Sequence, residues 1–141
     1  MEQRGLAIDT LINNAGTERF DQENSERILS MLQVNIIALT ELTRLVLPQM
    51  VARKRGKVML LASLAAFQPG PGMAVYYATK SYVLSFGRAI GHELRGTGVT
   101  ITTLCPGATT SEFANSKLAL PSRRMMTMSE SDGGPAVTAA W

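Results

Sequence analysis

Tyr76 and Lys80 stand four residues apart in Tyr76-Tyr77-Ala78-Thr79-Lys80, and Ser63 lies thirteen residues before the tyrosine. On a helix that spacing sets the phenol and the ammonium on one face, a turn apart. A phenol ordinarily loses its proton near pH ~10, above the range of neutral acid–base catalysis. A neighbouring cation favours the phenolate and moves the hydroxyl toward that range. A serine delivered from the end of a strand can hydrogen-bond a substrate oxygen. Such a trio can move a proton on and off a hydroxyl or carbonyl oxygen. That is the protein's share of a hydride transfer when a nicotinamide supplies the rest.

These side chains need elements to hold them. Residues 6–13 read as a short buried strand, closed by the turn Asn13-Asn14-Ala15-Gly16. Residues 25–53 read as a long helix, with apolar Ile28, Leu32, Ile36, Leu39, Leu42, Val46 and Met50 recurring every three or four residues. Pro48 predicts a kink or an end near Leu47. Residues 57–63 form a second strand, and Pro69-Gly70-Pro71-Gly72 punctuates the loop after it. A second helix spans residues 75–95 and stops at Gly96-Thr97-Gly98. The third strand, residues 99–104, ends at Cys105-Pro106-Gly107. Strand, helix, strand, helix, strand at these spacings predicts an α/β fold of about three parallel strands joined by crossovers.

Two right-handed crossovers running the same way put both helices on one face of the sheet. The opposite face, assigned to Leu11, Val58, Leu60 and Ile101, is then expected to lack cover, and the first strand to present an open edge. An isolated chain of this kind is expected to be poorly soluble, loosely packed or dependent on a partner. The tail is polar and rich in methionine, and Ser129-Glu130-Ser131-Asp132-Gly133-Gly134-Pro135 reads as loop or disorder. The organisation expected is therefore one catalytic region over residues 1–113, followed by a substrate-flap remnant or disordered tail over 114–141.

Composition permits this reading without requiring it. A chain of 141 residues can bury one core, not two. Apolar residues make up 45% and charged residues 18%, as in ordinary globular proteins. The net charge of +3 gathers partly in Arg53-Lys54-Arg55-Gly56-Lys57. That cluster reads as a helix C-terminus, where cations suit the dipole, rather than a nucleic-acid or membrane patch. The lone Cys105 allows no internal disulfide and no cysteine metal pair. No signal-peptide pattern opens the sequence and no apolar run approaches ~20 residues, so a cytoplasmic protein without membrane or metal is expected. His92, the single histidine, reads as a surface or packing residue, Tyr77 as packing, and Cys105 as a small buried apolar residue. Gly87 and Gly91 predict close helix packing.

Asn13-Asn14-Ala15-Gly16, Asn35 in the following helix, Ser63, Tyr76-x-x-x-Lys80 and Pro106-Gly107 occur in that order. Any one of these is weak; the ordered set resembles the short-chain dehydrogenase/reductase family over about residues 5–113. The resemblance implies a partial Rossmann-like, doubly wound parallel sheet. It also implies an oxidoreductase exchanging a hydride between NAD(P)(H) and an alcohol or carbonyl. By the same resemblance, Tyr76 is the general acid or base and Lys80 lowers its pKa while bonding the nicotinamide ribose. Ser63 polarises the substrate oxygen, and Asn35 holds a water that links Lys80 to solvent. Asn13, Ala15 and Gly16 lie beside the cofactor's adenosine half, and Pro106 and Gly107 abut the nicotinamide. Ser111 stands where the family often has a threonine that contacts the carboxamide. The two long helices look like the pair through which family members form homo-oligomers.

The family's phosphate-gripping turn, Thr-Gly-x-x-x-Gly-x-Gly, does not occur in these 141 residues. The resemblance therefore implies a catalytic half that begins just before the family's fourth strand. Two alternatives stay open beside an enzyme: a truncated, non-catalytic fragment, or an interaction module pairing with a full-length relative. The loop around Phe67 and Met73 suggests a hydrophobic small-molecule substrate; NAD versus NADP is left open.

Overall fold

The structure is a computed structural model that describes residues 7–17, 25–107 and 137–138. Strand β1 (Thr10–Asn13) leads to helix α1 (Ser25–Ala52), then β2 (Gly56–Leu61), a 3-10 turn (Leu64–Phe67), α2 (Ala74–Glu93) and β3 (Val99–Leu104). A two-residue strand, β4 (Val137–Thr138), follows. The sheet is parallel throughout, in the order β1-β2-β3-β4. The α/β fold and its parallel crossovers are as the element pattern predicts. β4 lies along β3, whose backbone groups would otherwise be an unpaired edge.

In β2 and β3 every second residue is buried: Gly56, Val58 and Leu60, opposite Val99, Ile101 and Thr103 in register. Val58, Leu60 and Ile101 meet Leu39, Val46 and Met50 of α1 and Val83 and Leu84 of α2. The helices do share one face of the sheet. The parity is the reverse of that expected, because Val58, Leu60 and Ile101 face the helices. The other face carries Ile12, Lys57, Met59, Leu61, Thr100, Thr102 and Leu104, none of them buried, and Ile12 is 56% exposed. Alternation along a strand fixes which residues share a face, not which face receives the helices.

The long helix also differs from its apolar pattern. Its buried stripe is Met31, Asn35, Leu39, Thr43, Val46 and Met50, whereas Leu42 is about half exposed. Two polar residues thus stand in the buried row. Between Gln33 and Ala38 the helix widens to a π-helical turn. It does not end near Leu47 but runs through Pro48 to Ala52. The carbonyl that Pro48 leaves without its usual donor belongs to Arg44, an exposed residue that water can serve. By length and composition α1 could also cross a bilayer, but its Leu39, Val46 and Met50 pack on the sheet.

The basic cluster lies at the turn from α1 into β2, as expected. Arg53 donates from Nη2 to the Ile8 carbonyl at 2.7 Å, and Arg55 faces Asp9 at 3.8 Å. The turn Thr97-Gly98 ends the second crossover where expected, and β3 matches its predicted bounds. Gly87 is buried against β3, where an added Cβ would strike the Thr103 Oγ1. The close packing expected there is therefore helix on strand rather than helix on helix.

Candidate active site

β2 and β3 end side by side. Ala62 N–H donates to the Leu104 carbonyl at 2.8 Å and Leu64 N–H to the Pro106 carbonyl at 3.0 Å. Those two bonds bring Pro106 and Gly107 alongside Ser63. Ser63 caps the 3-10 turn, its Oγ accepting from Ala65 N–H at 3.1 Å. Ser63 is thus a cap as well as a strand-end hydroxyl. The cap uses a lone pair and leaves the hydroxyl proton free to be donated to a further oxygen.

α2 opens at Ala74, so Tyr76 lies in its first turn and Lys80 one turn on. Both are 6% exposed. Lys80 Nζ donates to the Leu61 carbonyl at 3.0 Å and lies 5.7 Å from the centre of the Tyr76 ring. Burial pushes the Lys80 ammonium below its ordinary pKa, an effect partly opposed by the neighbouring Cys105. Burial raises the Cys105 thiol, while a Ser63 backbone hydrogen bond and the charges of Arg88 and Lys80 pull it the other way. Cys105 is completely buried and packs in the core, a small apolar residue as expected.

Asn35 points inward from the π-helical turn and is 2% exposed. Its Nδ2 donates to the Thr17 carbonyl at 2.9 Å and to Thr79 Oγ1 at 3.1 Å, and its Oδ1 accepts from Thr17 N–H at 3.0 Å. The loop after β1 is thereby held over Lys80: a Cβ on Gly16 would lie 3.5 Å from Nζ and 3.4 Å from Asn35 Oδ1.

Together these elements enclose a cavity of about 520 Å³, lined by Asn14, Gly16, Thr17, Ser63, Tyr76, Lys80, Pro106 and Gly107, with Leu61 and Ala62. Six of the residues expected from the sequence therefore meet in one space, with Asn35 bonded behind it. Asn13 does not join them. Its Nδ2 donates to Thr43 Oγ1 at 3.0 Å, tying β1 to α1, and Thr43 in turn donates to the Leu39 carbonyl. Ala15 is exposed and outside the cavity lining. Ser111 lies outside the described residues. Asn14, inside the turn Asn13-Asn14-Ala15-Gly16, and Thr17, just after it, also line the cavity, although the sequence pattern assigns neither a role of its own. Thr79 was also passed over; its hydroxyl between Tyr76 and Lys80 was the available signal. Tyr77 packs edge-on to Tyr76 and against Gly70, where an added Cβ would enter its ring. His92 is exposed.

Comparisons with known proteins point to one family. The family model described as short chain dehydrogenase matches residues 1–120. The ketoacyl reductase HetN of a Nostoc species is 42% identical over 103 residues, which are 71% of this chain and 36% of HetN. A short-chain dehydrogenase from Sphingobium yanoikuyae in complex with NADPH has a TM-score of 0.73 at 34% identity, over 79% of this chain and 45% of that one. A gluconate 5-dehydrogenase from Burkholderia cenocepacia, in complex with NADP and tartrate, also has a TM-score of 0.73, at 27% identity over 81% of this chain and 46% of that one. The chain spans between about a third and a half of the length of these relatives.

Proposed function

The chain belongs to the short-chain dehydrogenase family, and on that premise we propose that the Tyr76–Lys80 cavity is the proton-transfer site of a nicotinamide-dependent alcohol or carbonyl oxidoreductase. One observation carries the reading: Ser63 from the end of β2 and the Tyr76–Lys80 pair of α2, two hydroxyls and a buried ammonium, line a single cavity. The donor set fits the nicotinamide and ribose half of such a cofactor. Lys80 would hold the ribose, and the backbone at Gly16, Pro106 and Gly107 would flank the ring. The Thr-Gly-x-x-x-Gly-x-Gly turn is not part of these 141 residues, so no pyrophosphate contact is assigned to them. A reduced nicotinamide, when bound, supplies the hydride.

The remaining work falls to side chains of this chain. Ser63 donates its free proton to the carbonyl oxygen of the substrate and orients it. Tyr76 donates the proton that converts that oxygen to a hydroxyl, or accepts it in the reverse direction. The Lys80 ammonium stabilises the phenolate that Tyr76 becomes. Both protons of Asn35 Nδ2 are engaged, so a water linking Lys80 to solvent would be held by an Asn35 oxygen. The apolar side chains near the 3-10 turn favour an apolar substrate.

A cofactor deuterated at the transferable position, mixed with a panel of apolar ketones, tests this reading. The expected product is an alcohol carrying deuterium at the carbinol carbon. Ketones recovered unchanged with both NADH and NADPH would overturn it. The reading extends to self-association along α1 and α2, supported by a groove of about 700 Å³ lined by Thr40, Leu47, Pro48, Val51, Phe86 and Ile90. Sedimentation of a monomer at micromolar concentration would remove that extension.

A further inference from the structure

Thr79 is fully buried between the two residues that carry the proposed chemistry. Its hydroxyl has a single proton, and that proton is donated to the Tyr76 carbonyl at 2.7 Å. Toward Asn35 the Thr79 oxygen can therefore only accept. A carboxamide facing it must present Nδ2, and this determines the rest of the amide. Oδ1 is turned to the Thr17 N–H, and the second Nδ2 proton to the Thr17 carbonyl. The amide reversed would set oxygen against an acceptor and nitrogen against a donor, leaving buried groups unpaired.

We propose that Thr79 is a positioning residue, whose hydroxyl orients the Asn35 carboxamide and so clips the Gly16 and Thr17 backbone to the turn of α2 that bears Tyr76 and Lys80. The chain of bonds runs from Thr17 through Asn35 and Thr79 to the Tyr76 carbonyl. It joins three elements, the loop after β1, the π-helical turn of α1 and the first turns of α2. The consequence for catalysis, a loop held in register with the Lys80 ammonium, rests on the function proposed above; the clip itself does not.

Amide hydrogen exchange followed by NMR on the full chain tests the clip. In Thr79→Val the isosteric methyl neither donates nor accepts. The Thr17 amide should then exchange about tenfold faster, the equivalent of roughly one lost hydrogen bond. Ile101 and Thr103 in β3 should keep their exchange rates. Thr79→Ser, which restores the hydroxyl, should bring Thr17 back to within about twofold of the native rate. An unchanged Thr17 rate in Thr79→Val would overturn the proposal, as would a Thr79→Ser rate equal to that of Thr79→Val. Should Thr79→Val loosen β3 as well, the native chain decides the matter. Two resolved, slowly exchanging Asn35 side-chain protons, one close to the Thr79 methyl, are expected; a single averaged, rapidly exchanging signal would contradict the clip. None of these readouts uses turnover. A chain without reductase activity would still decide the role of Thr79, and a failed clip would leave the Tyr76–Lys80 cavity standing.

Discussion

The two long helices lie on the same face of the sheet, yet they serve the site differently. α2 is regular, enters the site with its first turn and brings Tyr76 and Lys80 to the cavity by the plain four-residue spacing. α1 is interrupted by a π-helical turn and contains a proline, and it lends the cavity no lining residue. What it contributes is Asn35 and Thr43, buried polar residues that bind the loop after β1 and the end of β1 itself. A reacting pair needs only a fixed separation, which a regular helix supplies. A support must reach several backbone groups at once, and a widened turn lets one amide aim at a loop and a helix together. The difference separates the proposed chemistry from its scaffold: α2 brings Tyr76 and Lys80 to the cavity, and α1 holds the loop beside them.

Substitutions can break this contrast or sharpen it. The largest effect is expected from Tyr76→Phe, which should lower turnover by roughly 10²–10⁴-fold, the usual worth of a positioned acid or base, with unfolding free energy changed by less than ~1 kcal/mol. A fall in stability to match the loss of rate would put Tyr76 with the scaffold instead. Asn35→Ala should do the reverse in kind, costing about 3 kcal/mol in urea unfolding because buried partners on Thr17 and Thr79 lose their bonds. A third change probes how closely α2 must approach the sheet. Gly87→Ala drives a methyl into Thr103 and should cost about 1–3 kcal/mol; a neutral outcome would mean that α2 can retreat without penalty. The smallest effect is a pH slope. Burial lowers the Lys80 pKa in the folded chain, so just below its ordinary value near ~10.4 the unfolded chain binds more protons. Stability from this group therefore rises with pH through that window, and the burial cost is full once the pH lies below the lowered value. Thermal melts of Lys80→Met and the native chain should show the native chain gaining on the variant as pH is raised, and parallel pH profiles would refute the assignment.

What could be read from the residues follows the same division. The bounds of β3, the end of α2 near its glycines and the meeting of Ser63, Tyr76 and Lys80 were legible, because each depends on local chemistry or on one helical period. The π-helical turn was not, since Gln33 to Ala38 carries no proline, glycine or other breaker. Asn35 and Thr43 belong to the buried stripe only because distant partners, Thr17, Thr79 and Asn13, satisfy them. A stripe drawn through apolar residues alone passes over both and buries Leu42 in their place. The face of the sheet was misassigned for a similar reason. In β2, Val58 and Leu60 alternate with the equally apolar Met59 and Leu61, which hides the packed face, whereas in β3 Ile101 between Thr100 and Thr102 was the available signal. β4 is two residues long, far from the strand it joins in sequence, and leaves no periodic trace.

The central claim is that Lys80 and its cavity receive the nicotinamide and ribose half of a cofactor. Reduced nicotinamide mononucleotide carries that half alone, and its fluorescence can be titrated against the native chain and Lys80→Met. Saturable binding with a dissociation constant near ~1 mM, about −4 kcal/mol, and at least about fivefold weaker binding to Lys80→Met, near one hydrogen bond's worth, is the predicted result. Absence of saturation, or equal affinity for the two chains, would contradict it.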